Sequence, residues 1–218
     1  MTSDQKPGFW QHFFNALSIP WVDKIIAVVA VLPHMFLLYL LMKRGGLNIP
    51  FVAVTINFML LIITMILRTP PVRITTNPWY WLLTFTATYG GMYAPLFSGK
   101  GISLVPAAVT NTLSLFSLGI NVYARLSLGR NIGFVPAQRA IVTGGAYQFV
   151  RHPIYTALFI SYFSFVLRQY SLRCVTLALI FCGLFVLKSI IEEIFLREDK
   201  EYAAYLTRVR WRWFPGLA

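Results

Sequence analysis

The sequence predicts an all-α protein, a polytopic bundle of five to six transmembrane helices. Three observations carry this expectation. The 218 residues are 57% hydrophobic and 12% charged, with a mean hydropathy of +0.65, too little polar surface to coat a soluble globule of this size. The apolar residues gather into runs that approach the roughly 20 positions needed to cross about 30 Å of hydrocarbon. The 19 Lys and Arg, set against 7 Asp and Glu, stand in short clusters between those runs, so the formal net charge of +12 suits anionic headgroups better than nucleic acid.

Met1 to Trp21 mixes polar and aromatic residues without the basic, apolar, small-residue order of a cleaved signal, and is expected to lie at the interface. Spans are then expected at Ile25 to Leu41, Ile49 to Leu67, Trp79 to Phe97 and Ile102 to Tyr123, which makes residues 1–124 an N-terminal helical half. Residues 125–218 form the second half. Here Pro153 to Leu167 and Ser171 to Ile191 are separated by a turn at Arg168 to Tyr170, and Pro153 suits the first turn of its helix because no donor is needed there. The fifth run is short, so one segment is either a span or re-entrant.

With six spans and an inner N-terminus, fourteen basic residues fall on the inner side and five on the outer, the asymmetry of cytoplasmic loops. That places both termini, and the polar stretch from Arg125 to Arg151, in the cytoplasm. Trp79, Tyr80 and Trp81 at one span, and Trp211 and Trp213 interleaved with Arg210 and Arg212 in the tail, read as interfacial anchors. Pro33-His34 reads as a kink, Gly90-Gly91 as a site of close helix packing, and Asn57, Asn111 and Asn121 as interhelical hydrogen-bonding groups. Cys174 and Cys182, eight residues apart in one apolar run, lie roughly 12 Å apart along a helix and are too distant for a disulfide. The histidines His12, His34 and His152 have no cysteine or carboxylate at ligand spacing, so a metal site is not expected.

Five of the seven acidic residues, Glu192, Glu193, Glu198, Asp199 and Glu201, fall within ten positions after the last run. Glu198, Asp199 and Glu201 alternate with Arg197 and Lys200 and read as the solvated face of a cytoplasmic helix. Glu192 and Glu193 follow the apolar run directly, where a carboxylate costs several kcal/mol unless something meets it. Two readings stand: water at headgroup level with Lys188 one turn back, or a cationic or donating partner. Upstream, Tyr147-Gln148-Phe149-Val150-Arg151-His152-Pro153-Ile154-Tyr155 brings Arg, His and Tyr to one membrane boundary and a helix N-terminus, a setting for an anionic or polar ligand. Thr143-Gly144-Gly145 gives a turn but no GxGxxG, and a Rossmann-type site is not expected.

These residues together resemble the isoprenylcysteine carboxyl methyltransferase and phospholipid methyltransferase superfamily. The stretch opens with Leu128-Gly129-Arg130 and Val142-Thr143-Gly144-Gly145-Ala146-Tyr147 and reaches an RHPxYxG-like element at Arg151 to Ala157. An apolar hairpin follows, then Glu192-Glu193, Tyr202, Tyr205 and Arg212-Trp213-Phe214-Pro215. The resemblance implies an S-adenosylmethionine-dependent methyltransferase, with a cofactor pocket formed on the cytoplasmic side by the C-terminal third and the cofactor held there by Tyr147, His152, Pro153, Tyr155, Glu192 and Glu193. It implies catalytic roles for Arg151 and Glu193, contacts of Arg151, Lys188 and Tyr202 with the substrate, and a lipophilic acceptor arriving from the bilayer. Transfer from a sulfonium mainly requires alignment and exclusion of water, and no dedicated base is visible. That favours a prenylated-cysteine-like carboxylate over a phospholipid amine, with a thiol also open. Ala157 replaces the glycine of the element, Arg139 stands where many members have histidine, and Lys188 where the prenylcysteine branch has arginine. Two other classes remain: a nicotinamide-dependent reductase of related C-terminal half, and a non-enzymatic membrane protein in which Arg151 and Glu192 form a structural ion pair.

Overall fold

The computed structural model describes residues 49–217 and, before them, positions 25, 29, 32, 33, 35–37, 39, 40, 42 and 43, which are helical. The expected interfacial lead-in, His12 and His34 lie outside the described residues. Helix α1 spans Ile49–Leu67. A two-residue strand β1, Arg73–Ile74, follows. Helix α2, Pro78–Phe85, starts where Asn77 accepts from the Trp79 amide and Pro78 occupies the first turn, so neither end-group donor is left without a role.

The helix continues through a π-helical turn at Thr86–Gly90 into α3, Gly91–Phe97, making one long element of the expected third span. Close packing at Gly90 and Gly91 follows from their missing side chains. A Cβ at Gly90 would stand 2.7 Å from a Phe181 ring carbon, and one at Gly91 2.5 Å from the Tyr162 hydroxyl.

Helix α4 covers Ala107–Leu128, not Ile102 to Tyr123. Pro106 fixes an extended backbone just before the helix, and Ile102 bridges to Tyr170 in antiparallel fashion, so the apolar run begins as a connection and only later becomes helix. The same helix runs through residues 124 and 125 and ends at Gly129, whose φ of 58° stops it. Strand β2, Ala137–Gln138, pairs antiparallel with β1 in the register Arg73↔Gln138. Helix α5, Pro153–Arg168, carries Pro153 in its first turn as expected. Helix α6, Leu172–Leu196, is capped by Ser171, which accepts from the Cys174 amide, and it extends past Ile191 to take both glutamates inside it. Helix α7, Lys200–Arg208, is capped by Asp199 accepting from the Glu201 and Tyr202 amides. Asp199 is therefore a cap and not part of a solvated face, and Glu198 pairs with Arg73.

The fold is helical, and α6, with 25 residues and a hydropathy of 2.4, is the one helix among the described residues long and apolar enough by itself to cross a membrane; Val52–Leu67 and Pro153–Arg168 are shorter apolar helices. Large apolar side chains stay exposed on each of α1 to α6, among them Ile63, Leu82, Phe97, Phe116, Phe163 and Leu179. Such a surface calls for an apolar surrounding. Between α4 and α5 the seam is hydroxylic: Ser117 Oγ donates to the Ala157 carbonyl at 2.7 Å and lies 2.6 Å from Ser161 Oγ, while Ser164 Oγ donates to the Thr110 carbonyl at 3.0 Å. Small residues let these backbones approach, and the hydroxyls find partners inside the bundle. Cys174 and Cys182 are free thiols.

Candidate active site

The site is assembled where three connections meet: residues 68–77, 129–152 and 197–217. The tail is fastened to the RHP element by main chain, with the Arg151 amide donating to the Trp211 carbonyl and the His152 amide to the Arg212 carbonyl, both at 2.9 Å. Thr156 Oγ1 donates to the Trp213 carbonyl, and Trp213 Nε1 donates to Ser189 Oγ at 3.2 Å. Trp213 also meets the Phe159 ring edge-on at 6.0 Å. These contacts correct the expectation of a tail that only anchors at the interface: Trp213 is packed against α5 and α6. Trp79, 72% exposed, keeps the character of an anchor.

The two adjacent glutamates have different surroundings. Glu193 is 1% exposed. Its Oε2 accepts from Arg151 Nη1 at 2.9 Å and Arg212 Nη2 at 3.0 Å, and its Oε1 from Arg212 Nε at 3.1 Å, with His152 Nε2 at 3.0 Å. An ionised carboxylate only accepts, so the His152 proton belongs on Nε2 in this arrangement. The buried charge is thus met by a two-pronged guanidinium and a second arginine, which offsets its desolvation. Glu192 instead receives Tyr155 Oη at 2.9 and 2.8 Å on its two oxygens and pairs with Lys188 Nζ at 3.1 Å, the i,i+4 partner expected from sequence. Lys188 Nζ also donates to Tyr155 Oη at 2.8 Å. The His152 ring lies parallel to that of Tyr155, 5.4 Å between centroids. The suggested Arg151–Glu192 ion pair is not formed; the carboxylate of Arg151 is Glu193.

Beside this network lies a cavity of about 390 Å³. Tyr147, Arg151, His152, Tyr155, Lys188, Glu192 and Tyr202 all line it, joined by Arg125, Arg139 and Tyr205, and its other walls are apolar residues of α1, α3 and α5 such as Val54, Phe58, Leu61, Met92, Leu158 and Phe165. Glu193 and Pro153 are not among the lining residues. Arg151 uses Nη1 on Glu193 and Nη2 on the Arg210 carbonyl, leaving its buried Nε without a hydrogen-bond partner among the described residues.

At one wall of the cavity, Tyr147, Tyr202 and Tyr205 pack with Ala124, Ala146 and Val209. Tyr205 Oη donates to the Tyr147 carbonyl at 2.7 Å. Burial pushes all three phenols above the ordinary value of 10.0, so they stay neutral donors. Tyr147 is placed by Gly145, whose φ is +60°, and by Ser127, whose Oγ accepts the Ala146 amide at 3.0 Å.

Sequence reasoning assigned no site role to Arg125, Arg139, Tyr205 or Arg212. Arg212 and Tyr205 enter from sequence only as parts of the family-like pattern, and Arg125 reads as a loop-flanking cation with no spacing signal of its own. Asn121 does make the hydrogen bond expected of it, accepting from Arg125 Nε at 2.6 Å, but within its own helix.

No curated protein matches the chain significantly. Residues 105–203, which run from just before α4 into α7 and supply most of the cavity, match the family model described as phospholipid methyltransferase, a member of the isoprenylcysteine carboxyl methyltransferase and phospholipid methyltransferase superfamily of membrane methyltransferases.

Proposed function

We propose that the protein is an S-adenosylmethionine-dependent methyltransferase acting on a lipophilic acceptor, with a prenylated-cysteine-like carboxylate as the acceptor the chemistry favours. The observation that carries the reading is the two-sided cavity, in which one polar wall of Glu192, Tyr155, Lys188 and His152 faces apolar walls from α1, α3 and α5. Its size of about 390 Å³ lies within the range of roughly 300–1,000 Å³ typical of small-molecule sites.

The donor set fits the cofactor. Glu192 is the one carboxylate among the described lining residues, and it suits the ammonium or ribose hydroxyls of a net cationic ligand. The unpartnered Arg151 Nε and the neutral Tyr147 and Tyr202 phenols offer donors to its oxygens and nitrogens. When bound, S-adenosylmethionine supplies a methyl group activated on a positive sulfur. The chain's own residues then align and shield. Tyr155 and Lys188 hold Glu192 in one orientation, Glu193 fixes Arg151, His152 and the tail as a positioning residue, and Pro153 starts α5 so that His152 and Tyr155 share one face. The apolar walls exclude water. Both imidazole and carboxylate are already engaged, His152 Nε2 with Glu193 and Glu192 with Tyr155, so an acceptor that arrives ionised needs no proton removed.

In this reading residues 1–124 supply most of the acceptor side and residues 125–218 the cofactor side together with the α5 part of the apolar wall, the chain crosses the bilayer five or six times, and both termini and the polar wall face the cytoplasm, in keeping with the charge asymmetry. The test is methyl transfer in proteoliposomes from radiolabelled S-adenosylmethionine into prenylcysteine, phospholipid or thiol acceptors. Label should enter one acceptor class and fall about ten- to a hundredfold in Tyr155→Phe, the loss expected for a hydrogen bond to a charged group. No transfer to any class by folded protein would refute the reading.

A further inference from the structure

Five of the seven acidic residues lie among the described residues, and each has its own engagement: Glu192 with Lys188, Glu193 with Arg151 and Arg212, Glu198 with Arg73, Asp199 as a cap, and Glu201 exposed on α7. None of them meets Arg125. Yet Arg125 is 7% exposed, stands in the last turn of α4 and lines the cavity. Its guanidinium is held by neutral groups alone, Nε by Asn121 Oδ1 at 2.6 Å and Nη1 by Thr64 Oγ1 of α1 at 3.1 Å. Asn121 is itself 1% exposed, so the bond that sets the fork's orientation is shut away from water. A buried arginine oriented by two neutral acceptors and paired with no carboxylate among the described residues is costly unless an anion joins it. Planar guanidinium geometry matches carboxylate and phosphate oxygens.

The neighbouring wall says which ligand that anion belongs to. Thr64 is on the helix that also contributes Val54, Phe58 and Leu61 to the cavity, and α1 carries exposed apolar residues on its outer side. The cations nearest the opposite wall are already neutralised, Lys188 by Glu192 and Arg151 by Glu193. We infer that Arg125 is the seat of an anionic oxygen group, carboxylate or phosphate, on the lipophilic acceptor, whose chain then lies along Val54, Phe58, Leu61, Met92 and Phe165. This rests on the methyltransferase reading for the word acceptor, and it moves acceptor recognition from Arg151 and Lys188 to Arg125.

The test uses the full chain in a maltoside detergent and three probes of equal chain length, dodecyl phosphate, dodecanoate and dodecanol, together with S-adenosylmethionine, each followed by calorimetry. Wild type should bind at least one anionic probe about tenfold more tightly than dodecanol, the gain expected for a charge-assisted hydrogen bond. Arg125→Gln should remove that preference while leaving dodecanol and cofactor binding unchanged, and the tighter of the two anions names the group. Equal binding of the three probes by wild type overturns the inference without recourse to any variant. So does a preference that survives Arg125→Gln, one that disappears in Arg139→Gln instead, or a folded Arg125→Gln that has lost the cofactor, which would make Arg125 a cofactor residue. If Arg125→Gln fails to fold, Arg125→Lys keeps a cation at the position, and loss there of the preference for an anionic probe over dodecanol would again count against an anion seat. Anion preference without any cofactor binding would refute the methyltransferase reading and leave the seat standing.

Discussion

The two ends of the bundle are built on different terms. At one end the connections 68–77, 129–152 and 197–217 are laced together by the β1–β2 pair, by Arg139 Nε donating to the Thr69 carbonyl at 2.8 Å, and by the Glu193 network. At the other end the connections 98–106 and 169–171 are joined by the Ile102–Tyr170 bridge, by Gln169 Nε2 reaching the Gly99 carbonyl, and by Ser171 Oγ donating to the Ser98 carbonyl at 3.2 Å. The first end holds buried charges that only their partners make tolerable; the second closes loops with neutral contacts near water. Stability and ligand chemistry should therefore be coupled at the first end and separate at the second.

The comparison would be broken most directly at Glu193. Glu193→Ala leaves Arg151, Arg212 and His152 around a vacated buried site, and should cost about 3–5 kcal/mol, read as a fall in melting temperature in detergent. Alkaline titration comes next. The folded pKa values of Tyr147, Tyr202 and Tyr205 are raised by burial, so above pH 10.0 the unfolded chain loses these protons while the folded one keeps them. Their contribution is complete below pH 10.0 and is lost as pH rises, by about 1.4 kcal/mol per pH unit for each phenol. Denaturation at pH 9 and 11 would show it, and three Tyr→Phe changes should flatten the slope.

Gly145→Ala should cost about 1–3 kcal/mol, because the φ of +60° disfavours a side chain and its Cβ would stand 2.2 Å from Ser127 Oγ. The turn under Tyr147 would shift, so cofactor binding should weaken with stability. The smallest effect belongs to the far end. Gln169→Ala should change the melting free energy by under about 1 kcal/mol and leave cofactor binding as it was; a large loss there would erase the contrast.

Much of the site was legible because its order along the chain is the order of the family element: RHPxY, apolar hairpin, paired glutamates, paired tyrosines. Those residues do converge on one cavity, Glu193 and Pro153 excepted. What one-dimensional reading could not separate was Glu192 from Glu193, since adjacent helical positions point about 100° apart and only the neighbours decide which one faces ligand. Arg125 was hidden for a similar reason. A lone cation in the last turn of a span looks like the common flank of a cytoplasmic loop, and its burial depends on Thr64 from another helix. The start of α4 was misplaced because hydropathy alone does not register that Pro106 delays the helix, and the tail's packing through Arg212 and Trp213 depends on carbonyls and hydroxyls that no pattern announces.

The central claim is that Glu192 belongs to the ligand and Glu193 to the scaffold. Calorimetric binding of S-adenosylmethionine to wild type and Glu192→Gln, each checked for an unchanged melting temperature, tests it most directly. The account predicts saturable binding by wild type and a loss of about ten- to a hundredfold in Glu192→Gln without loss of fold. Undiminished binding in that variant, or none by folded wild type, would contradict it.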